Sequence, residues 1–270
     1  MNKEKILTYL TAIEEKKPLI HCLTNEITVN DVANALLAVG ASPTMAHHIE
    51  EVEEITLKSD GLLINLGATE YLDSIRRSGS VRSVRKVFDP VGAAGSSFRR
   101  RQALDLIETI HPDLIKGNWS EMLALDKEEE TARAIDNEFS PAKDRQFIQL
   151  PVGNLRKYAH EHSTIAIATG PTDLITDGDR AYLLDNGSPL MSRFTGSGCI
   201  AGGLLSAFLA VDKSLDAALA AMVFSNLCGE IAEELMKRRG GGYGSYRMYY
   251  FDAFYYFKTW PDMPVQLREI

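Results

Sequence analysis

Gly61-Leu-Leu-Ile-Asn-Leu-Gly67 is a short apolar run closed by a glycine at each end. Polar residues do not alternate along it, so it reads as a strand covered on both faces, which is the environment of a central parallel strand. A parallel neighbour needs a crossover, and the flanking sequence supplies one on each side. Toward the N-terminus, Ile6, Leu7, Leu10 and Ile13 repeat at helical spacing over 3–16, and Pro18 ends that helix. A strand follows over 19–23, then a helix with Val32, Ala35, Leu36 and Val39 as its stripe and Gly40 as its stop. Residues 41–47 read as a brief extended piece and 50–58 as a short acidic helix. Toward the C-terminus the pattern repeats: helix near 71–84, a strand in the stretch 86–92 that ends in Asp89, helix 98–110, strand and helix start over 111–121, helix near 154–162, strand 164–170. Two strands around Asp177-Gly178 give a hairpin signal. Segments 206–211, 214–239 and 245–257 read as helices. The expected architecture is one layered α/β domain over 1–270, with a mostly parallel sheet, an antiparallel edge and helices on both faces.

Composition narrows the function classes. Of 270 residues, 45% are hydrophobic and 24% charged, which is globular. A net charge of −8 argues against nucleic-acid and anionic-membrane partners, so an anionic ligand needs a local positive site. Cys22, Cys199 and Cys228 are odd in number and lack metal-ligand spacing, which points to reduced thiols and a cytoplasmic protein without disulfides. The first residues are too charged for a signal peptide, and no apolar run looks long enough to span a bilayer. Residues 127–149 are highly polar and without a clear period, as in an exposed excursion.

The local positive site is legible. Arg193-Phe-Thr-Gly-Ser-Gly-Cys-Ile-Ala-Gly-Gly203 opens into an apolar helical run, so backbone N–H groups and a helix dipole face the bend. Gly196 and Gly198 let a phosphate approach the backbone; Thr195 and Ser197 add hydroxyls. Cys199 falls in the first helical turn, where a thiol pKa is lowered, or else it is a small buried hydrophobe. Other candidates also carry two readings. Asn25 lies past a strand end, as ligand contact or turn former. Met45 lines an apolar pocket or packs in the core. Asp89, before Pro90 and a small-residue loop, reaches a metal or phosphate, or caps a turn. Asn118 and Glu121 form a helix cap, or Glu121 feeds a cation with Lys116 beside phosphates.

The blocks Asn25 through His47, Asp89-Pro-Val-Gly-Ala93, Gly117-Asn-Trp-Ser-Glu121, Ala168-Thr-Gly170 and Thr195-Gly-Ser-Gly-Cys199 follow one another as in hydroxyethylthiazole kinases. The chain resembles these ribokinase-like enzymes of thiamine salvage over nearly its whole length except about 127–160; a generic ribokinase-like kinase shows Asp where Cys199 stands. The resemblance implies a ribokinase-like layered sandwich. It also implies transfer of phosphate from MgATP to the primary alcohol of 4-methyl-5-(2-hydroxyethyl)thiazole, giving the thiazole phosphate used for thiamine diphosphate, in a homotrimer with sites between subunits. On this resemblance Met45, Asn25 and Gly196 contact the thiazole alcohol, and Lys116, Thr169, Asn118 and Gly198 serve ATP. Cys199 takes the base position, and Asp89 with Glu121 holds Mg²⁺ directly or through water. The family carries Arg where Lys116 stands, which implies a looser grip on ATP. The alternatives are a hydroxymethylpyrimidine-type kinase, a nucleotide-dependent hydrate dehydratase, whose chemistry needs an acid or base rather than a thiol at the bend, and a silent binder, which would lack Asp89, Glu121 or the bend.

Overall fold

The computed structural model describes residues 1–125 and 145–270, and within them the strands form one sheet in the order β2-β1-β3-β4-β5-β6-β7-β8-β9. The chain runs α1 (Lys3–Lys16), β1 (Leu19–Leu23), α2 (Val29–Ala38), β2 (Ser42–Thr44), α3 (Val52–Leu57), β3 (Gly61–Asn65), α4 (Leu72–Gly79), β4 (Arg85–Asp89), α5 (Ser97–Ile110), β5 (Leu114–Asn118) and α6 (Trp119–Ala124). After residue 144 come α7 (Arg145–Glu161), β6 (Ile165–Thr169), β7 (Asp173–Thr176), β8 (Ala181–Leu184), α8 (Ser197–Val211), α9 (Leu215–Arg239), α10 (Tyr243–Tyr256) and β9 (Leu267–Glu269). From β2 through β6 all pairings are parallel; β7, β8 and β9 add on antiparallel.

The opening run is β3, and each of its residues is buried. Its side chains alternate between two cores, as the pleat requires. Leu63 joins one core with Val87, Leu114 and Ile167 under α1, α2, α8, α9 and α10. Leu62 and Ile64 join the other with Phe88, Ile115 and Ala166 under α4, α5, α6 and α7. Helix α8 sits close against the sheet and α2 because a side chain at Gly203 would press Val32 Cγ1 at 3.1 Å. The Asp177-Gly178 turn joins β7 to β8, with Gly178 at φ +97° and Arg180 N donating to Asp177 Oδ1 at 2.8 Å.

Several elements depart from the sequence reading. The polar excursion lies outside the described residues as far as 144, and 145–149 already belong to α7, which carries Pro151 inside it. Strand β5 passes directly into α6, with Asn118 ending one and capping the other. β9 has no apolar signal of its own and forms by pairing with β8. Helix α9 is long and apolar enough to cross a bilayer, contrary to expectation, but its apolar stretch is 89% buried inside the protein, as in the core helix of a globular protein.

Candidate active site

The carboxyl ends of the parallel strands converge on the start of α8. Register pairs Asn65 at the end of β3 with Asp89 at the end of β4, and Asn118 with Thr169 at the ends of β5 and β6. Above them Gly196 caps α8 at φ +102°, a backbone that favours glycine, and no side chain caps the helix. The first intrahelical bond runs from Ile200 N to Gly196 O at 2.8 Å, so the N–H groups of Ser197, Gly198 and Cys199 have no partner within the helix. They and the dipole make an anion site.

Lys116 lies beneath it. Its Nζ donates to Asp89 Oδ2 at 3.0 Å and to Gly198 O at 3.1 Å, so one ammonium links β4, β5 and the helix start. Both partners are buried. Burial would lower the Lys116 pKa, but the Asp89 carboxylate prevails and raises it. Burial also pushes Asp89 up to about 6 against the pull of Lys116, with Glu121 adding to the rise. Asp89 Oδ1 is buried without a hydrogen-bond partner, which marks a place for a ligand or cation.

Cys199 receives a hydrogen bond from Asn65 Nδ2 at 3.3 Å, with Asn25 Nδ2 at 4.0 Å. The expected lowering of its thiol pKa is not met. Burial raises it, and the nearby Asp89 carboxylate raises it further, against Thr28, Lys116 and Asn65. A helix start cannot offset the loss of water around a mostly enclosed sulfur. Asn65 was missed in the sequence although it carried a signal: an Asn ending an apolar buried strand must find partners. It has several, since Oδ1 also accepts from Gly67 N at 2.9 Å.

At Glu121 the capping reading holds in full. Asn118 Oδ1 accepts from Glu121 N at 2.8 Å, and Glu121 Oε2 accepts from Asn118 N at 2.9 Å. Glu121 Oε1 accepts from Gly92 N at 2.8 Å and so fixes the loop after Asp89. Each oxygen keeps a second lone pair. Among the described residues no group of three or more His, Cys, Asp or Glu could hold a metal. A divalent cation here would therefore take Asp89 Oδ1, with Glu121 directly or through water, and complete its shell with phosphate and water, as Mg²⁺ does. We expect Glu121→Gln to raise the Mg²⁺ requirement and also to cost about 1–2 kcal/mol, because an amide NH₂ would face a backbone N–H. Mg²⁺ titration of turnover with parallel thermal melts checks both, and an unchanged Mg²⁺ requirement would leave Glu121 a cap alone.

A cavity of about 540 Å³ opens beside the α8 start; Lys116, Thr169 and Gly198 line it, and so do Asp173, Asn186, Ser188 and Asn226, which sequence reasoning missed. Asn118 is not among its lining residues. Asp173 Oδ1 accepts from Gly170 N at 2.9 Å and Oδ2 from Asn226 Nδ2 at 2.8 Å; burial pushes this carboxyl up to about 6. On the other side of Cys199, Asn25 is a turn former. Its Oδ1 accepts from Ile27 N and Thr28 N at 3.1 and 3.2 Å, turning the chain into α2, while Nδ2 faces Asn65 at 3.4 Å. A side chain at Gly196 would press Thr28 Cγ2 at 3.1 Å. Met45 is half-buried against the core that carries α8. The structure thus brings Asn25, Asn65, Asp89, Lys116, Gly198 and Cys199 into one connected cluster.

The mostly parallel sheet with an antiparallel edge and helices on both faces is a ribokinase-like fold. A ribokinase-like superfamily protein from Enterococcus faecalis shares the fold at TM-score 0.57 and 13% identity, covering 95% of each chain. The model of the hydroxyethylthiazole kinase family matches residues 10–259, and the chain belongs to that family. It is 39% identical over 252 residues to the hydroxyethylthiazole kinase of Desulfotalea psychrophila, covering 91% of this chain and 88% of the other. The solved structure of the hydroxyethylthiazole kinase protein from Pyrococcus horikoshii superposes with TM-score 0.82 at 31% identity and 99% coverage of both chains.

Proposed function

We propose that the chain phosphorylates the primary alcohol of 4-methyl-5-(2-hydroxyethyl)thiazole with MgATP, as one kinase domain, with the reaction centred at the start of α8 beside the Cys199 thiol. The carrying observation is the uncapped helix start above the buried Lys116–Asp89 pair, with Asp89 Oδ1 lacking a partner. Phosphoryl transfer through a loose transition state needs positioning and charge stabilisation more than covalent help. The N–H groups of Ser197, Gly198 and Cys199 hold the transferring phosphoryl, and Lys116 neutralises charge beside it. ATP occupies the cavity lined by Thr169, with Asn118 supporting that side from the cap. Asp89 and Glu121 would hold Mg²⁺, directly or through water, and the ion would add to the neutralisation of the phosphates. Asn25, Met45 and Gly196 form the walls for the thiazole alcohol. With its pKa raised, Cys199 is mostly thiol at neutral pH; the thiol orients the hydroxyl, and only its minor thiolate form takes the hydroxyl proton, late in the transfer. A hydrate dehydratase would need a stronger acid or base there. ADP release from MgATP that depends on the thiazole alcohol tests the reading; none above background at millimolar Mg²⁺ would refute it.

Ionisation of Asp89 gives this reading opposite pH signatures in activity and stability. If the carboxylate is required, kcat/KM falls about tenfold per unit below pH 6. Stability moves the other way. A folded pKa above the unfolded value of about 3.9 contributes stability that is full below that value and lost as pH rises through about 6. Asp89→Asn should therefore gain stability relative to the parent between pH 4 and 7, read as a widening difference in melting temperature; a constant difference would contradict the raised pKa.

The assembly we propose is a homotrimer in the cytoplasm with the alcohol pocket between subunits, Met45 and Cys199 of one site coming from different chains. Exposed apolar side chains support a covering partner: Ile27 before α2, two residues from Asn25, is 79% exposed, and Met248 and Tyr255 on α10 are 60% and 78% exposed. Light scattering should give three times the chain mass, and a fully active monomer would refute the shared site.

A further inference from the structure

Part of the cavity wall is held by a polar stripe on α9, whose central residues are mostly apolar and buried. Asn226, Glu230 and Glu233 fall at i, i+4 and i+7 along α9, so they share one face. Glu230 Oε1 accepts from Gly187 N at 2.8 Å and from Asn186 Nδ2 at 3.0 Å. Asn226 Nδ2 donates to Asn186 O at 2.9 Å, and Ser188 Oγ donates to Glu233 Oε2 at 2.6 Å. Asn186, Gly187 and Ser188 are the loop that walls the cavity. The same loop is tied outward to the C-terminal strap: Asn186 Nδ2 also donates to Pro264 O at 3.0 Å, and Gln266 N donates to Asn186 Oδ1 at 2.6 Å. That strap lies beyond the residues matched by the family model, which end at 259.

The loop's conformation is not one its own sequence would keep. Gly187 sits at φ +129°, and glycine loses the most conformational freedom when fixed. A carboxylate among the core residues of α9 is itself unfavourable unless its lone pairs are used. Here a single oxygen takes two donors from consecutive loop residues, one backbone and one side chain, so it sets both the position and the orientation of the turn. A wall ordered in advance spares the ligand the cost of ordering it on binding.

We propose that Glu230 is a positioning residue of the nucleotide pocket, holding the Asn186–Ser188 wall, and through Asn186 the C-terminal strap, in the shape that receives ATP. This rests on ATP occupying that cavity. The test is calorimetric titration of the intact protein with MgATP in the absence of alcohol, beside KM for the thiazole alcohol. Glu230→Ala should weaken MgATP binding about 5- to 20-fold, the range for losing hydrogen bonds to a charged acceptor, with the KM for the alcohol unchanged within about twofold. Glu230→Gln keeps an oxygen for both donors and should stay within about threefold of the parent. A Glu230→Ala protein that melts earlier yet binds MgATP as the parent does, or that weakens both ligands equally, overturns the proposal. Should that variant not fold, Ser188→Ala removes the tie to Glu233 together with the cap on Leu190 N; MgATP binding weakened about two- to fivefold supports the held wall, and unchanged binding overturns it. A parent protein that binds no MgATP would refute the pocket reading and this inference together, whereas a binding parent with unaffected variants refutes only the role of Glu230.

Discussion

Lys116→Met is expected to lower turnover steeply and to destabilise the protein in a pH-dependent way. The side chain is 4% exposed and bridges Asp89 to the carbonyl of Gly198, so its loss removes the fixed positive charge beneath the anion site. Losing one positioned electrostatic group of this kind costs about 10²–10³ in turnover. The same change leaves the Asp89 carboxylate buried without its counter-charge. Breaking a buried pair on one side costs about 3–5 kcal/mol. The burial that already raises Asp89 would then act unopposed, and the carboxyl would stay protonated further into the neutral range. The stability loss should accordingly be largest near pH 8 and smaller below 6. Denaturant titrations at the two pH values, with ADP release at each, read both effects. Lys116→Arg, which restores charge with a planar donor set, should keep turnover within about tenfold. Full activity in Lys116→Met would mean that the anion site works by backbone donors alone.

The second large effect concerns Cys199. Cys199→Ala keeps the backbone N–H groups, so MgATP binding should be nearly intact while turnover falls by about 10²-fold or less, the lower end for a general base. Cys199→Asp should keep or recover activity. Asn65 Nδ2, already donating to the sulfur at 3.3 Å, and the nearby Lys116 would receive the carboxylate, although Asp89 opposes it. Alkylation of the parent should inactivate it, slowly because burial raises the thiol pKa, and ATP with the thiazole alcohol should protect. An Asp variant that is both inactive and several kcal/mol less stable would show that the thiol only packs.

What the sequence reveals and conceals follows from how local each signal is. β1, β3, β4 and β6 are apolar runs between turn residues, and the structure places them within a residue or two of the reading. The start of α8 was legible because glycines and a small-residue bend precede a long apolar stretch. By contrast β9 exists through pairing with β8, and α7 extends through Pro151 against local propensity. At the site, Lys116, Asp89 and Cys199 stood out by residue type and position. Asn65 did not, because an amide at a strand end takes its meaning from neighbours on β4 and α8. The direction of the Cys199 shift was misread for the same reason. Sequence shows the helix start, but burial and the Asp89 charge arrive from distant parts of the chain.

The most direct measurement of the central claim is a crystal structure with Mg²⁺, a non-hydrolysable ATP analogue and the thiazole alcohol bound together. We expect the terminal phosphate on the N–H groups of Gly198 and Cys199, the nucleoside in the cavity bordered by Thr169 and Asn186, and the alcohol oxygen within hydrogen-bond reach of Cys199 Sγ. A terminal phosphate bound away from the start of α8, or an alcohol remote from Cys199, would contradict the account.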